Sequence, residues 1–259
     1  VGGEGVGAAM RVLIAASGSV AAVKVPELAV GLAEAGAEIR IVLTQSAKHF
    51  YDRAAAYDPE AWRAFEARGL PSEVLLDQDE WDSWNALGDP VVHIDLTKWA
   101  QILVLAPCSA DCLAKLSLGL CDNLLLCIAR AWDFRTKPVV CCPAMNTFMW
   151  DHPHTAEHVQ RIRRLGFHIV EPVSKTLACN DTGKGALAPV SAIVKHVLEA
   201  RSLGPAAAED DDAAPAPGVE DPDASWLMSV LPSTGALVCV FAAAGCAALL
   251  ATSGRRRPW

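Results

Sequence analysis

The chain has 259 residues, 52% of them hydrophobic, which is enough to bury a sizeable core in one domain and leave residues over for further segments. Its formal net charge of -8 and sequence pI near 5.3, with no basic stripe interleaved with aromatics, exclude a nucleic-acid surface. Nine cysteines, an odd number without C-x-x-C spacing and mostly inside apolar runs, read as reduced thiols of a cytoplasmic protein and not as a disulfide framework.

The N-terminal stretch VGGEGVGAAMRV lacks a basic region followed by an apolar one, so no secretory signal is expected, and residues 1–9 read as a flexible lead-in. RVLIAASGSVAAVKVPELAVGLAEAG reads as a buried strand from Val12 to Ala16, a tight turn Ser17-Gly18-Ser19, and helical spacing from Val20 to Ala35 that Gly36 ends. Free amides, the positive end of the helix dipole, the Ser19 hydroxyl and Lys24 one turn on suit a phosphate. A plain strand-to-helix connector accounts for the same residues equally well.

Ile39 to Leu43 is a second strand completing a βαβ unit. The following segment holds a short helix capped by Asp58, with Pro59 at its first position and Gly69 after its end, and reads as a surface insertion. The block DEWDSWNALGDPVVHIDL is an acidic, tryptophan-bearing loop that delivers His93 ahead of a helix from roughly Leu96 to Ala100. Asp95 is the neighbouring carboxylate expected to orient its imidazole.

Residues 106–150 are the stretch the chain is organised around. Strand Ile102 to Ala106 runs into APCSADCLAKLSLGLCDNLL, with helices expected from Ser109 to Leu120 and from Asn123 to Ala131. A fourth strand, Val139 to Cys142, runs into PAMNTFMW. Polar turns directly after β-branched runs belong to strand ends, where open α/β sheets bind ligands. The alternation continues through a helix, a stop at Gly166 and a fifth strand. The fold expected is therefore α/β, a Rossmann-like (flavodoxin-like) parallel sheet with helices on both faces in three α/β/α layers. His152, His154 and His158 have no recognised zinc spacing and read as a surface helix with its caps, so no metal site is expected.

LACNDTGKGAL places Cys179 in a polar segment with Gly183 and Gly185, suited to a mobile flap carrying an accessible thiol, ahead of a last helix from Val190 to Ala200. The sequence thus divides into a domain over 10–203, an acidic Ala/Pro-rich linker over 204–225 that reads as disordered, and an apolar segment over 226–259. Leu227 to Ala251 reaches the ~20 apolar residues needed to cross a bilayer, flanked by Trp226 and Arg255 to Arg257, and reads as a membrane anchor facing the cytosol. Pro232 and Gly235 weaken that helix, which leaves a plain apolar tail as the other reading.

The motifs SGSVAAVK, DEWDSWNALGDPVVHIDL, APCSADCLAKLSLGLCDNLL, PAMNTFMW and ACNDTGKGAL stand in one order over residues 11–200. Together they resemble the homo-oligomeric flavin-containing cysteine decarboxylases, in particular the phosphopantothenoylcysteine decarboxylases of plant and animal type. The resemblance implies a homotrimer, or multiples of it, with FMN between neighbouring subunits and 4'-phosphopantothenoylcysteine as substrate. It implies FMN contacts at Gly18, Ser19, Val20, Ser46, Ser109, Ala110, Asp111, Cys112 and Ala144, and substrate contacts at Met145, Asn146, Ala178 and Cys179. It further assigns His93 as the active-site histidine, Asn146 as the holder of the substrate carboxylate, and Cys179 as the acid that reprotonates the product.

Asp111, Cys112 and Asn180 depart from the family pattern, and an aspartate beside the flavin ring would disfavour an anionic reduced flavin unless its carboxylate turned away. Two other roles belong to relatives of this fold: a halotolerance-type regulator that binds a protein phosphatase, and a peptide cysteine decarboxylase. The trio His93, Asn146 and Cys179 argues for an enzyme.

Overall fold

Met10–Ala16 forms β1, and all its residues except Arg11 are buried. An apolar run covered on both faces is what a central parallel strand requires. In this computed structural model the described residues are 9–71, 73–176 and 182–206, and all lie in one compact unit. The flap residues Ala178, Cys179 and Asn180, the linker from residue 207 onward and the apolar segment 227–251 lie outside them. Among the described residues, no helix is long and apolar enough to cross a membrane.

After β1, the 17–19 turn enters a short 3-10 helix, Val20–Lys24, and then α1, Val25–Glu34. The expected single helix is thus two. β2 is Ala37–Leu43, and α2, Gln45–Tyr51, begins at a Thr44 cap whose hydroxyl accepts from Ala47 N at 3.2 Å. α3 is Ala54–Tyr57 and α4 is Pro59–Ala67, with Asp58 Oδ1 accepting from Glu60 N and Ala61 N as its sequence signature predicted.

This region is not a surface insertion. Tyr51 and Phe65 are buried, and Trp62 meets Tyr51 edge-on and Phe65 at a tilt, with ring centroids 5.9 and 5.5 Å away. Trp62 and Phe65 lie three apart on α4, so they form one apolar face, which joins the core on the α1 side.

A two-residue strand, β3 (Val74–Leu75), too short for periodicity to reveal, comes next. α5 is Asp77–Ser83 and α6 is Val92–Trp99, so the helix begins before His93 and not at Leu96. β4 is Ile102–Cys108, α7 Ala110–Leu118 and α8 Leu124–Arg130, capped by Ser109 and Asn123. β5 (Val139–Pro143), α9 (Thr147–Trp150), α10 (Pro153–Arg164) and β6 (Phe167–Ile169) complete the alternation. The expected flap is held on two antiparallel strands, β7 (Val173–Thr176) and β8 (Thr182–Ala186), and α11 is Val190–Leu203.

The sheet is parallel throughout, in the order β3-β2-β1-β4-β5-β6. Strand alternation sorts its side chains: Val12, Ile14 and Ala16 face one layer with Leu28, Leu32, Ile193 and Val197, while Leu13 and Ala15 face the other with Leu113, Leu116, Ile128 and Ile162. Each such leucine or isoleucine contributes about 1.5–3 kcal/mol by burial, which holds the strand ends in fixed relation. The order reverses between β1 and β4, and in such sheets the crevice at that switch, beyond the carboxyl ends of the strands, receives the ligand.

Candidate active site

Both sides of that crevice are joined by serines. Ser17, buried after β1, donates its hydroxyl to Pro107 O at 3.1 Å and accepts from Ser109 N at 2.8 Å, and its backbone N–H also reaches Pro107 O at 3.0 Å. Ser109 in turn accepts from Cys112 N at 3.2 Å to cap α7. These bonds tie the β1 and β4 turns together across the switch point.

Gly18 closes the adjoining side. A Cβ on it would meet Ser46 Oγ at 2.4 Å and Ser46 Cβ at 2.7 Å, so the 17–19 turn and the first turn of α2 touch only because residue 18 has no side chain. Ser46 Oγ shares a 3.1 Å hydrogen bond with Thr44 Oγ1, and Ser19 Oγ accepts from Ala21 N at 3.4 Å. Neither the 3-10 helix nor α2 carries an acid in its first turn. Val20, with Ala110 across the crevice opening α7, completes this rim, and Val20 is an exposed apolar side chain.

Cys112 offers the site only its backbone. Its side chain is buried, and a hydrogen bond with Cys108 together with burial pushes the thiol well above its ordinary value, so it stays neutral. Burial likewise pushes the Cys142 thiol up. Asp111 turns out to solvent, with its side chain 74% exposed and 3.3 Å from Lys115 Nζ. Lys115 also meets Asp122 at 2.9 Å, and these bonds, Asp122 first, hold its ammonium above the usual lysine range. Asp111 and Lys115 thus form an i,i+4 pair on the open face of α7.

The second half of the site follows β5. Ala144 N donates to Cys108 O at 2.9 Å, which fastens the PAMN segment to the end of β4. Met145 N donates to Gly185 O at 2.9 Å, and a Cβ on Gly185, at φ +148°, would lie 2.4 Å from Met145 O. The β7–β8 pair, which leads to the residues around Cys179, is thus docked backbone to backbone on Met145. Asn146 caps α9, its Oδ1 accepting from Phe148 N at 2.8 Å. The hydroxyl of Thr147 is buried with no hydrogen-bond partner among the described residues, and its side chain lies against β8, where a Cβ on Gly183 would come within 2.6 Å of Thr147 Oγ1.

His93 stands in the first turn of α6. That helix runs back along the sheet, its later turn tied at the strand starts by Lys137 Nζ donating to Thr97 O at 2.7 Å, so His93 lies toward the carboxyl edge. Its Nδ1 bonds Glu80 Oε1 of α5. Asp95, the expected orienting group, is two residues along the same helix and so projects elsewhere.

A family model described as Flavoprotein matches residues 7–202. A phosphopantothenoylcysteine decarboxylase of Oryza sativa subsp. japonica is 50% identical over 185 residues, 71% of this chain and 77% of the rice protein. Solved structures agree. A cysteine-to-serine mutant of PPC decarboxylase complexed with pantothenoylaminoethenethiol superposes with TM-score 0.64 at 47% identity, covering 74% of this chain and 97% of that one. The FMN binding protein AtHal3 superposes with TM-score 0.61 at 48% identity, covering 73% and 95%.

The chain belongs to the flavoprotein family. The residues of this flavoprotein fit a flavin nucleotide: Gly18 opens the turn, hydroxyls of Ser19 and Ser46 with first-turn amides suit its phosphate, and neither of those two first turns carries an acid. His152, by contrast, accepts from His154 N at 3.3 Å and His154 pairs with Glu157 at 3.1 Å, which gives the surface histidines of α10 local work.

Four residues of the site had no role in the sequence reading: Ser17, Thr44, Glu80 and Thr147. Ser17 and Thr44 each follow a buried strand directly, a signal available in the sequence. Glu80 lies thirteen residues from His93, a spacing that no helix or strand period selects.

Proposed function

We propose that this flavoprotein binds FMN and decarboxylates 4'-phospho-N-pantothenoylcysteine to 4'-phosphopantetheine, a carbon–carbon lyase step of coenzyme A biosynthesis. The observation that carries this reading is the Ala144–Cys108 bond, which sets the Ser17/Gly18/Ser46/Ser109 cradle and the Asn146 segment on the ends of adjacent strands. The relatives' names supply the substrate class.

A carboxylate on a saturated carbon holds its CO2 because the bonding electrons have nowhere to go. FMN, when bound, supplies a reversible two-electron acceptor for the substrate's cysteinyl carbon and thiol, which creates the missing electron sink. The rest is the work of the chain. Gly18, Ser19, Ser46 and the turn amides hold the phosphate, and Ser109, Ala110 and Ala144 line the ring site. Asn146, whose Oδ1 accepts from Phe148 N to cap α9, is the residue assigned to hold the substrate carboxylate and fix its orientation through its side-chain amide. His93 places its Nε2 toward the substrate as a positioning group and base. Cys179 is the acid that supplies the proton in the last step, and the two electrons that complete the conversion of the ene-thiol to the saturated product are those that FMN would return; Met145 and Ala178 are the further substrate contacts in this reading.

The assembly proposed is a homotrimer, with residues 10–203 as the catalytic domain, 204–225 as a linker and 226–259 as a membrane anchor supported by hydropathy. Full-length protein should purify yellow, release FMN on denaturation, evolve CO2 from phosphopantothenoylcysteine and pellet with membranes. Colourless, inactive protein overturns the function, and a wholly soluble chain overturns the anchor.

For Cys179→Ser, CO2 release should stop near one equivalent per bound FMN unless dioxygen reoxidises the flavin, while phosphopantetheine formation falls about 10²-fold or more, since a positioned acid contributes about 10²–10⁴ in rate. Ene-thiol product followed by mass spectrometry checks this. Undiminished phosphopantetheine would remove Cys179 from the acid role.

A further inference from the structure

We propose that Glu80 is the positioning residue of the active-site histidine, fixing which nitrogen of His93 faces the substrate. An ionised carboxylate has no proton to give, so at the Glu80 Oε1 contact Nδ1 of His93 must be the donor. The neutral ring then carries its proton on Nδ1 and keeps its lone pair on Nε2, ready to accept one from the substrate. Without a partner, the imidazole would exchange its proton between the two nitrogens and turn about its ring bond, and the lone pair would face the reaction only part of the time.

Three further observations make the contact a rigid one. The Glu80 side chain is 14% exposed and that of His93 26%, so water competes less than at a surface pair. The backbone under the ring is held by Thr97 Oγ1, which donates to His93 O at 2.7 Å. α5 is itself anchored: Asp77 Oδ1 accepts from Leu124 N at 2.8 Å, tying it to the start of α8, and Asp79 Oδ2 accepts from Leu76 N at 2.6 Å, closing its first turn. The acids of this loop therefore divide their work, with Asp77 and Asp79 building the platform and Glu80 using it.

What His93 does to a substrate rests on the decarboxylase reading above, whereas its tautomer does not. ¹⁵N-labelled full-length protein, with the His93 ring signals assigned by their loss in His93→Gln, should show the Nδ1–H tautomer. In Glu80→Leu, which keeps bulk and removes the acceptor, the signals should move to a mixture or to Nε2–H. At the same time kcat should fall about 10–100-fold, the size seen when a metal-bound histidine loses the carboxylate that orients it, with KM and FMN content unchanged. Glu80→Gln, whose amide oxygen still accepts from Nδ1, should keep the tautomer and recover much of kcat.

Should Glu80→Leu fail to fold, the wild-type and Glu80→Gln tautomers decide alone. Nε2–H in the wild type, or an unchanged tautomer or kcat in Glu80→Leu, overturns the proposal. A tautomer shift in a protein that never decarboxylates the substrate supports the positioning role and overturns the enzyme reading instead.

Discussion

Asn146→Asp should lower kcat/KM for phosphopantothenoylcysteine by about 10³-fold or more while leaving the melting temperature close to that of the wild type. The two halves of that result have separate causes. Asn146 Oδ1 caps α9 through Phe148 N, and a carboxylate oxygen accepts the same bond, so the cap is kept. The Nδ2 donors are lost, and loss of one donor aimed at developing or departing charge costs about 2.7–4 kcal/mol. In their place stands a negative oxygen facing the substrate's own carboxylate, and like charges in contact cost several kcal/mol more. Asn146→Ala removes the cap as well and should lower stability by about 1 kcal/mol in addition. CO2 release measured beside thermal melts separates the two effects. Wild-type kcat/KM in Asn146→Asp would mean that another group holds the carboxylate.

The other large effect is expected at Gly18. In Gly18→Ala the new methyl carbon would sit 2.4 Å from Ser46 Oγ and 2.7 Å from its Cβ, well inside contact distance, so either the 17–19 turn or the first turn of α2 must move. Overpacking of this kind costs about 1–3 kcal/mol. Because the same two turns form the phosphate cradle, FMN affinity should fall about 10–100-fold, each factor of ten being about 1.4 kcal/mol. Fluorescence titration with FMN and a melting curve measure both. Gly18→Ala combined with Ser46→Gly removes the clash and should restore the melting temperature, while affinity recovers only in part because the Ser46 hydroxyl is gone. Unchanged FMN binding in Gly18→Ala would show that the cradle lies elsewhere.

Much of this site could be read along the chain because its parts are local. Ser19, Ser109, Asn123 and Asn146 each follow an apolar strand or precede a helix, positions whose chemistry depends on neighbours within three residues, and each caps the element that follows it. The same logic placed Asp58 and Pro59. It failed for α4, whose Trp62 and Phe65 were read as part of a surface insertion although their spacing of three puts them on one face. It failed for β3 because two residues carry no period.

Local signals thus determined the parallel α/β pattern, the five motif blocks and the identity of the residues that end each strand. Tertiary structure alone decided how those ends combine. Ser17 reaches Ser109 across 92 positions, Ser46 lies against Gly18, Gly185 seats the flap strands on Met145, and His93 takes Glu80 in place of Asp95. The strand order that reverses between β1 and β4 creates these meetings. A contact between distant residues depends on which strands are neighbours, and that is set by packing of the whole sheet, to which no short window of sequence has access.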